Sequence, residues 1–112
     1  MKLQVQSIHF NADKKLLDFI QKKANKLEQV FDQILDGEAF LKLDKSEDEK
    51  NKITEIKINL RGATLFAKEK CKTFEEGIDL VVESLQKQLR KHKERIKAHD
   101  VIGDFSFDEL SD

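Results

Sequence analysis

The sequence predicts an α+β domain with the element order β-α-β-β-β-α. We expect a four-stranded mixed sheet with two parallel helices packed on one face, an arrangement like that of a double-stranded-RNA-binding domain. Two long stretches repeat apolar residues at three- and four-residue steps, which is typical of amphipathic helices. Four shorter stretches alternate apolar and polar residues, which is typical of half-buried strands. A chain of 112 residues suffices for one such domain with a modest core.

The first strand and the first helix are expected in the N-terminal third of the chain. Residues 3–10 alternate apolar and polar side chains and predict the first strand. Asn11 is the expected helix cap, and Asp13 in the first turn suits the positive end of the helix dipole. The helix is expected over residues 12–31, where six apolar residues share one face: Leu16, Leu17, Ile20, Ala24, Leu27 and Phe31.

Three more strands are expected before the last helix, because alternation resumes and is interrupted by residues typical of turns. In order, we expect a turn at Asp36-Gly37, a strand over 38–43, a solvated polar loop over 44–51, a strand over 55–61, a tight hairpin at Gly62-Ala63 and a strand over 65–70.

The last helix, expected over residues 73–99, has the longest helical pattern in the chain and its densest positive charge. Thr73 and Glu76 form a possible capping box at its start. Its acids are confined to the first half except for Glu94, whereas six basic residues follow from position 87 onward, so that end carries a net charge of +5. One apolar face runs along most of its length: Phe74, Ile78, Val81, Val82, Leu85, Leu89 and Ile96.

Handedness rules turn this element order into a geometry. If the first two strands are parallel, the crossover through the first helix is right-handed, and the remaining strands form an antiparallel meander. The two helices then run parallel across the same face of the sheet. At about 1.5 Å per residue, the last helix is about 39 Å long against about 30 Å for the first, so its basic end should extend past the sheet.

The net charge of −1 conceals two oppositely charged segments. Residues 1–99 hold all 21 basic residues and 17 of the 22 acidic ones, a net +4, whereas residues 100–112 hold five acids and no base. We therefore expect a domain over 1–99 and a flexible acidic tail over 100–112. A further hypothesis is that the tail competes with anions for the basic surface of the free protein.

The basic residues of the two helices form the candidate binding site, here called the basic patch. Lysine and arginine bind phosphates and release condensed counterions, a contribution to affinity that does not depend on base sequence. Two other interpretations remain open at this point: the lysines coat solvated helix surfaces, or the basic helix docks an acidic protein. The basic patch consists of Lys22, Lys23, Lys26, Lys87, Arg90, Lys91, Lys93, Arg95 and Lys97.

Other classes of function find little support in the sequence. A single cysteine, Cys71, excludes an internal disulfide and a metal site of paired thiolates, and we expect it to be packed at a strand end. The three histidines are dispersed, and neither a catalytic triad pattern nor a glycine-rich phosphate loop is present. We expect no enzyme activity, cofactor or metal. The chain has neither a signal-peptide pattern nor a membrane span, which predicts a cytoplasmic protein.

Three segments resemble the ribosome hibernation promoting factor family, which includes the ribosome-associated inhibitor. They are KLEQVFDQI after the first helix, the RGATLFAK hairpin and, most specifically, QLRKHKERIK in the last helix. The resemblance covers about residues 1–99 and is to the short form. Long members of the family add a dimerising domain that pairs two ribosomes, and here the chain stops at Asp112. The short acidic tail is similar to that of the inhibitor subtype, which opposes pairing.

The resemblance implies a bacterial stationary-phase factor that binds the small ribosomal subunit, within the 70S ribosome, in the channel of messenger and transfer RNA. It implies inhibition of translation by occlusion, no small-molecule substrate, no membrane partner and a monomer away from the ribosome. It also implies that basic helices contact 16S ribosomal RNA. The matching positions are Lys22, Lys23, Lys26, Lys87, Arg90, Lys91, Lys93 and Lys97, with Arg95 as an additional contact. A general module for double-stranded RNA is the alternative, since such modules pack two helices on a meander.

Overall fold

The computed structural model describes residues 1–45 and 49–101, with the side chains of residues 96–101 excepted. Four strands and three helices make up this part of the chain, one helix being a single turn. They are β1 Leu3–Ile8, α1 Lys14–Asn25, α2 Leu27–Val30, β2 Ile34–Leu43, β3 Lys52–Leu60, β4 Ala63–Cys71 and α3 Phe74–Val101.

The four strands form one mixed sheet in the order β1-β2-β3-β4. β1 is parallel to β2, with Val5 opposite Ala39, and the crossover between them contains α1 and α2. β2, β3 and β4 then form an antiparallel meander in which Ile56 lies between Ala39 and Ala67. The predicted mixed sheet and its meander are therefore confirmed.

One hydrophobic core lies between the sheet and the helices. Ile20 of α1 and Leu85 of α3 are fully buried together with Leu41 of β2 and Ile58 of β3. The inward residues of the strands follow the predicted alternation, since burying one face of a sheet selects every second residue. Because both helices contribute to the same core, they cover the same face of the sheet, as predicted.

Contacts between the two long helical segments show that they run parallel. Phe10, just before α1, stacks on Phe74 at the start of α3, with 4.7 Å between ring centroids. Lys23, near the end of α1, reaches Asp79, and Phe31, after α2, lies against His92. Residue numbers increase together on both sides of this interface, which confirms the predicted direction.

The first predicted helix differs from the structure at both ends. Asp13, not Asn11, is its cap, and the Asp13 Oδ1 accepts a hydrogen bond of 2.9 Å from the backbone N–H of Leu16. The helix is also interrupted at Lys26, whose N–H bonds to the carbonyl of Lys23, three residues back. A tightened turn of this kind leaves the three- and four-residue repeat almost unchanged, so the apolar pattern did not reveal it.

The turn predicted at Asp36-Gly37 is wrong, because both residues belong to β2. Gly37 leaves room for two neighbouring side chains: a Cβ atom there would lie 2.7 Å from Met1 Cε and 3.0 Å from Leu3 Cδ1, which would have to shift. The chain reverses earlier, at residues 31–33, and a shift in register between Ile34 and Asp36 marks the start of the strand.

The other predicted turn and the predicted helix cap have structural counterparts. Gly62 adopts a φ of 80° in the hairpin between β3 and β4, a conformation that favours glycine. The Thr73 Oγ1 accepts a 3.1 Å hydrogen bond from the N–H of Glu76, which caps α3. Helix α3 runs to Val101, two residues past its predicted end. Residues 46–48 of the predicted polar loop, and residues 102–112 of the predicted tail, lie outside the described residues.

Candidate nucleic-acid interface

Helix α3 is longer than the strands that it crosses, so its C-terminal end extends past the sheet, whereas Gln88 and Leu89 still pack on the fold. Its 28 residues span about 42 Å, whereas the nine residues of β3 span about 30 Å. The first turns of α3 are anchored by Phe74, Ile78 and Val81, which are buried in the core. From Lys87 onward only Leu89 is fully buried among the described side chains, so this half of α3 is mainly solvent-facing.

The basic residues of α3 project to three sides of the helix. Gln88 donates a hydrogen bond of 3.0 Å to the carbonyl of Phe66 in β4, and Lys93 lines a groove beside residues 28–33. These two contacts identify the β4 side and the α2 side of α3. Since each residue turns the helix by about 100°, Arg90 lies on the same side as Lys93, whereas Lys91 lies near the ridge of Gln88.

The basic side chains of α3 differ in exposure and in their partners. Lys91 is half-buried, and the side chain of Lys97 lies outside the described residues. Within the part of the chain whose side chains are described, no carboxylate lies at ion-pair distance from four exposed cations of α3: Lys87, Arg90, Lys93 and Arg95.

The three lysines of α1 differ from one another. Lys22 and Lys26 are exposed. Lys23 is half-buried: its Nζ lies 3.1 Å from Asp79 Oδ1 and 5.3 Å from the centroid of the Phe19 ring. Its charge is thus already compensated by α3 and by the electron-rich face of an aromatic ring. Lys23 holds the two helices together as well as belonging to the basic patch.

The pair Lys23–Asp79 fixes the level of the two helices relative to each other. Lys26 lies three residues, about 4.5 Å, past Lys23, and Lys87 lies eight residues, about 12 Å, past Asp79. The lysines of α1 are therefore level with the acidic half of α3 and its junction with the basic half. Lys26 and Lys87 are about 7.5 Å apart along the axis, whereas Lys93 lies beside α2 and residues 31–33.

The sequence interpretation missed the groove beside Lys93. Its volume is about 350 Å³, and its lining comes from residues 28–33 and Lys93. Phe31 is half-buried and packs edge-to-face with His92, at 5.4 Å between ring centroids and an interplanar angle of 89°. Two glutamines and an aromatic residue within KLEQVFDQI were the signal that could have indicated a binding groove.

Four lysines on the outer face of the sheet and at its ends have carboxylate partners, in contrast to the exposed cations of α3. Glu38 and Lys57 are opposite each other in the register of β2 and β3 and form an ion pair of 3.2 Å. Further pairs on the strands and at their ends join Lys42 and Lys68 to Glu55, and Lys70 to Asp44. These lysines of the sheet thus have carboxylate partners, whereas Lys87, Arg90, Lys93 and Arg95 of α3 have none at ion-pair distance among the described side chains.

Cys71 has the features of a packed residue, as predicted. It is buried at the end of β4, and burial, together with the nearby carboxylates of Glu76 and Glu69, raises the pKa of its thiol above the ordinary value of 9.0. A raised pKa leaves less thiolate at neutral pH and makes the thiol less reactive. Among the described helices, none combines the length and the apolar character that a bilayer span requires.

Fold and charge together define a class: a small α+β domain with a mixed four-stranded sheet that exposes a long basic helix. Comparison of the sequence with protein families is more specific. Residues 3–97 match the family described as sigma 54 modulation protein / S30EA ribosomal protein, and the chain belongs to that family. This confirms the predicted family.

Two curated relatives carry hibernation-factor names. The chain is similar to a ribosome hibernation promoting factor of Klebsiella oxytoca, with 28% identity over 99 residues, covering 88% of this chain and all of that protein. It is also similar to a ribosome hibernation promotion factor of Staphylococcus aureus strain COL, with 35% identity over 79 residues. That match covers 70% of this chain and 41% of the Staphylococcus protein.

Solved structures support the fold. A ribosomal subunit interface protein from Coxiella burnetii superposes with a TM-score of 0.74 at 21% identity, covering 84% of this chain and 99% of its own. The N-terminal domain of Protein Y from Thermus thermophilus gives a TM-score of 0.71 at 20% identity, covering 82% and 99%. At these identities the likeness concerns the fold alone.

Proposed function

We propose that this chain binds the small ribosomal subunit through its basic patch, on 16S ribosomal RNA. Bound in the channel of messenger and transfer RNA, it inhibits translation by occupying space, without chemistry of its own. The observation that carries this proposal is the exposed, uncompensated charge of Lys87, Arg90 and Lys93 on a helix that extends past the sheet.

Ribosomal RNA suits this surface because phosphates recur at short intervals along the RNA backbone. Each lysine or arginine that neutralises a phosphate releases condensed counterions, which favours binding and makes the affinity dependent on salt. A helix of about 42 Å offers cations over several turns, and a folded RNA can contact more than one side of it. The distribution of basic residues around α3 is therefore compatible with insertion between RNA segments.

The relatives add support of a different kind. Both curated proteins are named for ribosome hibernation, and the Klebsiella protein aligns over its whole length. On that basis we propose that the ribosome is also the partner of this chain. We propose further that the protein acts in the bacterial cytoplasm during stationary phase. The basic patch supplies a physical reason for such binding in this sequence.

Sedimentation with purified small subunits tests the proposal. Reversing Lys87, Arg90 and Lys91 to glutamate should abolish co-sedimentation, since three attractive contacts become repulsive. A matched control reverses Lys14, Lys15 and Lys45, which are exposed at the opposite end of the molecule and change the net charge equally. The control should still sediment with the subunit. Undiminished co-sedimentation of the α3 variant would show the proposal to be wrong.

A general module for double-stranded RNA is a second candidate, favoured by the packing of the helices on one face of the sheet. Modules of that kind recognise the shape of a duplex across its grooves. Competition distinguishes the two candidates. A short RNA duplex should displace the protein from the small subunit poorly if the ribosome is the target, and efficiently if any duplex suffices.

A further inference from the structure

The groove between residues 28–33 and α3 combines features that fit a nucleobase. It lies on the same side of α3 as Arg90, and Lys93 forms part of its lining. At about 350 Å³, it falls in the range of small-molecule pockets. It therefore lies next to cations that would hold the RNA backbone, where an unpaired base could turn inward.

The lining offers both a stacking surface and hydrogen-bonding groups. Phe31 contributes a half-buried aromatic ring next to His92. Gln29 and Gln33 are exposed, and each amide can donate and accept hydrogen bonds. Proteins that read unpaired RNA bases use this combination, stacking the base on an aromatic ring and bonding its Watson–Crick edge.

Two acidic residues, Glu28 and Asp32, also line the groove, and they differ in whether a positive charge is paired with them. Glu28 accepts a hydrogen bond of 2.6 Å from the N-terminal ammonium of Met1, which neutralises its charge. Asp32 is exposed and has no ion-pair partner among the described side chains. An ionised carboxylate only accepts hydrogen bonds, so Asp32 favours a base edge that presents donors.

We propose that this groove binds an unpaired base carrying an exocyclic amino group, with Asp32 as the specificity-determining residue and Phe31 as the stacking surface. Cytosine and uracil have the same ring size, so comparing them tests the preference for an exocyclic amino group at a single position of the ring. Cytosine has an amino donor at the position where uracil has a carbonyl acceptor. The proposal rests on the proposed RNA-binding function and adds a base preference that the basic patch alone cannot provide.

Fluorescence anisotropy with the full chain and short labelled oligo(C) and oligo(U), at neutral pH and low salt, tests it. Wild type should bind oligo(C) about tenfold more tightly than oligo(U). A difference of this size is within the range of one good contact between a side chain and a base. Asp32→Ala should remove the preference by weakening oligo(C) binding, because alanine has no side-chain acceptor, although the change also removes a negative charge. Asp18→Ala makes the same charge change at an exposed site on α1 and should keep the preference.

Several results would overturn the base site. They are equal affinity of wild type for the two oligomers, no binding of either, a preference that persists in Asp32→Ala, or Asp32→Ala strengthening both complexes equally. Loss of the preference in Asp18→Ala would also overturn it, because a general charge effect would then explain the result. Phe31→Leu, if it keeps the circular dichroism of wild type, should weaken both oligomers; unchanged affinity excludes stacking on Phe31.

Failure of this site and failure of ribosome binding give different results. If the base site is wrong but the ribosome proposal is right, wild type shows no preference for oligo(C), and the charge-reversed α3 variant still loses co-sedimentation. If ribosome binding is wrong, the charge-reversed variant co-sediments like wild type, whatever the oligomers show.

Discussion

The Nζ of Lys23 lies 3.1 Å from Oδ1 of Asp79, and this ion pair joins the end of α1 to the first half of α3. The Lys23 side chain is 26% exposed and also covers the ring of Phe19. Of the three lysines assigned to the basic patch on α1, this one already has an anionic partner within the protein. We therefore expect that any binding of RNA by Lys23 competes with Asp79.

Removing Asp79 should release Lys23 and strengthen RNA binding. We expect Asp79→Asn to raise the affinity for small subunits while lowering the free energy of unfolding by about 1 kcal/mol or less, as is usual for a partly exposed pair. Binding assays and urea unfolding measure the two effects. Glu83→Gln makes the same charge change on α3 and should raise the affinity less. Equal gains for both variants would show that Lys23 has no special role.

The salt dependence of binding should identify the individual side chains that neutralise phosphates. For Lys87→Gln and Arg90→Gln we expect the slope of log K against log salt to become shallower by about 0.7 to 0.9 for each phosphate that is no longer neutralised. Lys57→Gln, on the outer face of the sheet, where Lys57 pairs with Glu38, should leave the slope unchanged. A slope altered as much by Lys57→Gln would place the RNA on the sheet as well.

The sequence predicted strand order and helix direction because alternation, helical periodicity and crossover handedness each depend on short-range rules. Gly37 shows where those rules stop. Asp-Gly is a turn signal, yet here Gly37 lies within β2 beside Met1 and Leu3, which only the folded sheet brings close to it. Lys23 is similar: its type and helix position were predictable, but its partner Asp79 depends on the relative level of two helices.

A tight contact between Gly77 and Thr54 should make two core substitutions interdependent. A Cβ atom at Gly77 would lie 2.8 Å from the Thr54 Oγ1, which is buried without a hydrogen-bond partner among the described residues. We expect Gly77→Ala to destabilise the protein by about 1 to 3 kcal/mol through overpacking. In a Thr54→Ala background the same change should cost clearly less. Urea unfolding of the four proteins measures this coupling, and additive effects would contradict it.

The Cys71 thiol should make stability fall at alkaline pH. Its pKa is raised in the folded protein, so above the ordinary value of 9.0 the unfolded chain loses this proton first. The stabilising contribution of the protonated Cys71 thiol is therefore fully present below pH 9.0. It is lost as the pH rises toward the raised pKa of Cys71 in the folded protein. Urea unfolding at neutral pH and about one unit above 9.0 should show a larger decrease for wild type than for Cys71→Ala. Equal decreases in the two proteins would assign the effect to other groups.

Truncation after Val101 should test whether the acidic tail competes with RNA for the basic patch. The deleted residues include four acids and no base, so competition would be electrostatic. We expect the truncated chain to bind RNA more tightly at low salt, with the difference disappearing as salt screens the charges. A tail of scrambled sequence should restore competition, whereas a tail with its acids changed to amides should not. Equal affinities of truncated and full-length chains at low salt would exclude competition, and restoration by the amide tail would show that bulk, not charge, is responsible.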